Sequence, residues 1–260
     1  MKIGMFTSGY QRNPLEDCFK DAKRFGYDYI ELWGARPHAY TYDLKAGAIH
    51  EVRRLIEKYE IPVRGFTPEH NAYPFNYMIG TEAMRQESVE YLKTSMDMAK
   101  EMGADFTLIS AGHSGYGTTY KEMWDRLVKT VRELADHAEK IQHKLIMETL
   151  TTYESNVIKN ANDLQELFRW VDSPYLVGMC DIVAPFTQSE SIMDYFDKLG
   201  DKMYHMHIID GVSDSDSHVM PGDYQGTATI ELVTGYINEP RMYGRRAINN
   251  IREMMDKAGY

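Results

Sequence analysis

The sequence predicts a single (β/α)8 barrel. Three observations carry that expectation. Short apolar runs of strand length recur eight times, longer helical patterns separate most of them, and 260 residues is a size at which one such barrel closes as one domain. The strand segments fall at 2–9, 29–34, 63–68, 105–112, 144–150, 177–183, 203–210 and 227–233. Between them, residues 15–26 ("LEDCFKDAKRFG") place apolar side chains at helical spacing and close on Gly26. Residues 81–103 start from Thr81 with an imperfect capping-box pattern, and residues 120–141 form a long amphipathic run. Strand–helix alternation implies parallel strands joined by crossover helices. An open doubly wound sheet is the alternative, and no glycine-rich dinucleotide fingerprint follows the first strand to favour it. No linker, low-complexity stretch or second domain interrupts residues 1–260.

One unit departs from the pattern. Between the seventh and eighth strand segments only residues 211–226, "GVSDSDSHVMPGDYQG", remain, and they are polar with no helical periodicity. A parallel crossover needs a dozen or more residues and normally a helix. The crossover helix before the last strand is therefore missing. Either the loop is truncated, or a stretch has dropped out near Asp223–Tyr224. The second is favoured, because a missing helix exposes apolar barrel surface, and it predicts a break or spatial jump at that point.

Composition bounds the function. A net charge of −10 argues against a nucleic-acid partner. No run reaches the roughly 18 apolar residues of a membrane span. The start, "MKIGMFTSGY", has no apolar signal-peptide region. Two cysteines, Cys18 and Cys180, are too few and too distant for a disulfide framework or a thiolate metal site. These features suit a cytoplasmic enzyme acting on a small molecule.

The chemistry concentrates at strand ends. "KLIMETLT" reads as a buried strand, yet it carries Glu148, and an isolated buried carboxylate is costly without a cation or a partner. The last four strands each bear one metal-capable side chain near the C-terminal end: Glu148, Asp181, His207 and Glu231. In a barrel those ends ring the active site, and the four strands are neighbours. Period-two alternation turns Ile146 inward with Glu148 and sends Leu145 and Met147 toward the helices. It also sets His205 on the face of His207, one layer deeper. Three carboxylates and one imidazole without thiolate suit Mn, Mg, Co, Ni or Fe better than structural zinc. A single such residue at a strand end is more often a hydrogen-bond partner; four on successive strands are harder to explain that way.

Around this set lie weaker candidates for substrate contact. His70 and His113 follow the third and fourth strands, and Glu154 follows Glu148 by six residues. Trp33, with Tyr40, Phe66, Tyr73 and Phe75, offers an apolar wall. Arg36 and His38 offer an anion contact. His50, His137 and His143 sit in or beside helical patterns and read as surface residues.

At these residues the sequence resembles the xylose isomerase-like barrels, and within them the ketose 3-epimerases, above all those acting on fructoselysine. The segments that carry the resemblance include "ELWGARPHAY", "TPEHNAYPFNYMIG", "ETLTTYESNVIKNANDL", "MCDIVAPFTQSESIMDYFDKLGDK", "HMHIID" and "ELVTGYINEPRMYGR". They span nearly the whole chain except the region after Gly222. The resemblance implies one divalent metal on Glu148, Asp181, His207 and Glu231. It makes Glu148 and Glu231 the acid–base pair at C3 and Glu154 a substrate contact. It further implies a homo-oligomer. Two positions depart from the free-sugar epimerases: Ala184 stands where they have histidine and Ser213 where they have arginine. A ketosamine such as fructoselysine, converted to psicoselysine through an enediolate, is therefore expected in preference to free tagatose or psicose.

Rival readings differ in ligand set. A hydride-shift aldose–ketose isomerase needs two metals and more ligands than the sequence supplies. An endonuclease IV-like phosphodiesterase would use His70 and His113, but Ala184 and the acidic balance oppose it. A non-enzymatic sugar-binding scaffold would have no need of both Glu148 and Glu231.

Overall fold

The computed structural model describes residues 2–211, 218–219, 227–230 and 239–259. Eight parallel strands close into a barrel. They are β1 (Lys2–Phe6), β2 (Tyr29–Gly34), β3 (Val63–Pro68), β4 (Phe106–Ser110), β5 (Lys144–Glu148), β6 (Leu176–Asp181), β7 (Met203–His207) and, last in the chain, β10 (Thr227–Ile230). Two further strands, β8 (Asp210–Gly211) and β9 (His218–Val219), pair antiparallel outside the barrel. Strand β10 closes the ring by pairing with β1 on one side and β7 on the other.

Helices cover the outer face. They are α1 (Leu15–Phe25), α2 (Thr41–Asp43), α3 (Ile49–Tyr59), α4 (Glu82–Met102), α5 (Tyr120–Ile141), α6 (Ala161–Trp170), α7 (Val183–Thr187), α8 (Ile192–Leu199) and α9 (Pro240–Ala258). Their ends follow local chemistry. The Thr81 hydroxyl caps α4 by accepting from Met84 N–H, without a reciprocal partner. The full capping box belongs to α5, where Thr119 and Glu122 satisfy each other's backbone N–H groups. Gly26 ends α1 at φ 74°, in the left-handed region that favours glycine.

The alternation read from the sequence holds. Leu145 and Met147 pack in the cluster beneath α5 and α6, with Leu134 and Leu164. Ile146 packs instead with Phe106, Leu108, Val177 and Met179 in the barrel interior. That interior plug fills the lower barrel, so polar side chains one step further along the same strands emerge at the C-terminal rim.

Strand ends are the main correction. The segments at 2–9, 105–112, 177–183 and 203–210 overrun the observed strands, which stop at Phe6, Ser110, Asp181 and His207. At the rim each chain leaves the parallel ladder and turns away to build a loop. Thr7–Tyr10 forms a 3-10 turn and Val183 already opens α7.

Most of the segment between β7 and β10, where the sequence lacks a crossover helix, lies outside the described residues. The expected break at Asp223–Tyr224 lies outside the described residues.

Candidate metal centre and active site

Register brings the site together. Asp181 pairs with His207 across β6 and β7, and Ser110 pairs with Glu148 across β4 and β5. Each of the three metal-capable residues ends its strand at the rim. One donor atom from each of Glu148, Asp181 and His207 lies within 4.8 Å of the others. His207 Nδ1 is 3.2 Å from Glu148 Oε1 and 3.8 Å from Asp181 Oδ2. Asp181 is fixed from behind: Val183 N–H, at the start of α7, donates to its Oδ1 at 2.8 Å. Its Oδ2 is the oxygen that faces His207 Nδ1. Phe6 stacks on the His207 ring with centroids 5.6 Å apart. Glu231 falls outside the described residues, one step past Ile230 in sequence. Thr229, two residues before it, is the register partner of His207.

Electrostatics fit a cation. Burial pushes the Glu148 carboxyl above its usual range; His207 opposes this, while Asp181 and Glu31 add to it. Two carboxylates crowded beside one imidazole and cut off from water repel one another unless a positive charge joins them. The donor set, carboxylate oxygens and one imidazole nitrogen, matches what hard and borderline divalent ions bind.

Sequence reasoning missed one residue at this centre. Glu31 of β2 is fully buried, and His205 and His207 both lie against it through Nε2, at 3.0 Å to Oε2 and 3.0 Å to Oε1. Thr67 Oγ1 donates to Oε1 at 2.7 Å. Burial alone would raise the Glu31 carboxyl, but the two histidines outweigh it and hold it well below the ordinary carboxylate range. The signal was present in "YIELWG", a carboxylate inside an apolar strand, the same feature that drew attention to Glu148. His205 does sit one layer below His207, against Phe106.

A cavity of about 270 Å³ adjoins Glu148 and His207. Trp33, His70 and Glu154 line it, as do Phe6, Glu69 and Ser110. Trp33 is held by its indole N–H donating to Glu69 at 2.8 Å. Glu154 accepts from the backbone N–H and the hydroxyl of Thr151, at 3.1 and 3.0 Å. His70 lines the cavity, but both its nitrogens are engaged by backbone. Nδ1 lies 2.6 Å from Pro68 O and Nε2 accepts from Ser110 N–H at 2.9 Å. Burial lowers its pKa, so it is a neutral imidazole that ties β3 to β4.

Other candidates stand apart. His113 Nδ1 accepts from Gly115 N–H at 2.9 Å, and the residue is outside the described lining. Arg36 is exposed and doubly bonded to Asp43 at 2.7 Å, over the Tyr40 ring, also outside that lining. His38 is buried with Nε2 2.9 Å from Asn13 O. His143, expected at the surface, is instead buried at the barrel's lower end, 2.9 Å from Thr107 Oγ1. It lies just beyond α5, where β5 dives into the sheet. Ala184 is buried in α7, and Ser213 lies outside the described residues.

The chain matches the xylose isomerase-like TIM barrel family over residues 19–257. It is 49% identical over 271 aligned positions to the fructoselysine 3-epimerase of Escherichia coli O157:H7, covering 98% of both chains. That span exceeds the 260 residues present, so the alignment includes positions that this chain lacks. Among solved structures, a D-tagatose 3-epimerase-like protein superposes with a TM-score of 0.78 at 18% identity, covering 97% of this chain and 99% of that one. D-psicose 3-epimerase from Clostridium cellulolyticum H10 gives 0.76 at 17% identity, covering 98% and 99%. These structural likenesses establish the barrel.

Proposed function

The chain belongs to the xylose isomerase-like TIM barrels and, within them, to the fructoselysine 3-epimerase family of carbohydrate isomerases, and from that premise we propose that it is a divalent-metal-dependent 3-epimerase acting on a ketosamine of the fructoselysine type. The observation that carries the reading is the convergence of Glu148, Asp181 and His207 donor atoms within 4.8 Å at the mouth of a cavity.

The cation belongs on Glu148, Asp181, His207 and, from the sequence, Glu231. When bound, it acts as a Lewis acid that makes the hydrogen beside a ketose carbonyl more acidic. The residues do the rest. Glu148, which lines the cavity, is placed to take the C3 proton on one face of the sugar or to return it. Glu231 serves the opposite face, so that the planar enediolate is reprotonated with inversion. Asp181 holds the centre in register, while Trp33 and Phe6 give the sugar an apolar wall and limit water.

The cavity also favours an amine over a free sugar. Apart from Glu148, which the cation takes up, its described lining carries two carboxylates, Glu69 and Glu154, and no lysine or arginine. A protonated secondary amine on C1 is stabilised there, whereas a neutral ketose gains nothing from the excess negative charge. Buried free thiols at Cys18 and Cys180 suit a reducing, cytoplasmic setting. No described helix is long and apolar enough to cross a membrane.

Metal-stripped protein reloaded with Mn2+ should be given fructoselysine, tagatose and fructose in parallel, with C3 configuration read by NMR after the metal is removed. Inversion of fructoselysine with higher kcat/KM than either free ketose is expected. Faster turnover of a free ketose would move the assignment to the tagatose/psicose type. An aldose product would make the protein an aldose–ketose isomerase.

A further inference from the structure

Nothing in the metal chemistry requires the carboxylate of Glu31, yet three other side chains are organised around it. It is fully buried on β2, across the barrel from β7. Each of its oxygens meets one imidazole Nε2, that of His205 at Oε2 and that of His207 at Oε1, both at 3.0 Å. Thr67 donates to Oε1 as well, at 2.7 Å. Room for the side chain comes from Gly65 on β3, the register partner of Glu31. A Cβ at position 65 would stand 2.9 Å from Glu31 Cγ and 2.5 Å from the Phe106 ring. The backbone is thus cut away where the carboxylate must lie.

The other edge of the His207 ring points the opposite way. Its Nδ1 is the atom near Glu148 and Asp181. A neutral imidazole carries one N–H and one lone pair. A carboxylate that can only accept hydrogen bonds fixes the N–H on Nε2, and the lone pair then sits on Nδ1, facing the other two donors. Resting on the metal reading above, we propose that Glu31 is a positioning residue that holds His207 in the Nε2–H form, so that Nδ1 is the nitrogen offered to the cation. His205 has a distinct part: by donating to Oε2 it keeps Glu31 from rotating away. Carboxylates placed behind a ligating histidine fix its tautomer and increase its donor strength, and losing one weakens metal binding by about 10- to 100-fold.

The same three residues, Glu31, His205 and His207, lie close enough to be a cation site themselves. The positioning assignment is favoured because both Glu31 oxygens already meet an imidazole edge, and because His207 cannot turn one nitrogen to both centres.

The test titrates Co2+ into metal-stripped full-length protein, wild type and Glu31→Gln. Affinity is read by competition with a chromophoric chelator, and coordination by the visible d–d absorption. The variant should bind Co2+ at least tenfold more weakly with a changed absorption band, while the melting profile of the metal-free protein keeps a single cooperative transition. If wild type binds Co2+ and Glu31→Gln matches it within twofold, the positioning role is overturned and the metal reading survives. No Co2+ uptake by wild type overturns both. Two ions bound per wild-type chain, with one lost in Glu31→Gln, would make Glu31 a ligand and overturn the role in a different way. Should Glu31→Gln fail to fold, wild type loaded with diamagnetic Zn2+ decides the matter through long-range 15N–1H correlations of the His207 ring. A proton on Nε2 supports the assignment; a proton on Nδ1 defeats it.

Discussion

His207 Nδ1 stands 3.2 Å from Glu148 Oε1, at the point where β5 and β7 reach the barrel rim. Asp181 enters the same space from β6. Three strands thus deliver two carboxylates and one imidazole to a volume that a single ion can span, and burial raises the Glu148 carboxyl when none neutralises it. The behaviour expected of the protein follows from that crowding.

Metal should stabilise the fold. A ligand at 100 times its Kd contributes about 2.7 kcal/mol. For a domain of this size that corresponds to a Tm increase of about 5–10 °C. Differential scanning calorimetry of chelator-stripped protein, with and without saturating Mn2+, checks this. Coincident transitions would mean that no ion joins the cluster.

Glu148→Gln keeps the shape of the side chain and removes the proton acceptor. Epimerisation should fall by at least about 10²-fold, the usual contribution of a general acid–base residue. Because Glu148 is also a proposed ligand, the rate must be taken at saturating metal. A loss confined to metal affinity, with kcat restored at high Mn2+, would leave Glu148 as ligand only.

Gly65→Ala should disturb both stability and metal binding. The added methyl meets Phe106 at 2.5 Å and Glu31 Cγ at 2.9 Å. Overpacking of this kind costs about 1–3 kcal/mol. Urea denaturation gives the stability change and Co2+ titration the affinity change. A variant as stable as wild type would show that the interior yields more readily than the packing implies.

His143 makes stability fall in acid. Burial lowers its pKa to about 4 from the ordinary 6.5. The unfolded chain therefore takes up the proton first as pH drops. Stability is full above pH 6.5 and is lost between 6.5 and 4, by up to about 3 kcal/mol. His143→Gln should show a shallower decline than wild type over that interval in urea unfolding at stepped pH. Parallel declines would remove His143 as a source of the acid sensitivity.

The barrel was legible because period-two alternation in "KLIME" and the spacing in "LEDCFKDAKRF" are local signals that burial then reinforces. Glu148, Asp181 and His207 were legible because a polar residue ending an apolar strand is anomalous on its own. Glu31 was not read, though equally anomalous, because its partners His205 and His207 lie more than 170 positions away and only ring closure brings them together. Arg36 and His113 looked available as sequence, yet Asp43 and Gly115 take them up through contacts that loop geometry alone decides. His143 read as surface because its position just past α5 hides the turn that sends β5 into the core.

The most direct measurement is solvent deuterium incorporation at C3. Wild-type protein with Mn2+ and fructoselysine in D2O is run to partial conversion, the metal is removed, and the product epimer is examined by NMR. Proton transfer by carboxylates that exchange with solvent predicts deuterium at C3 of the product. Product of inverted C3 configuration carrying no solvent deuterium would contradict the account, since the hydrogen would then have moved without passing through an exchangeable carboxyl group.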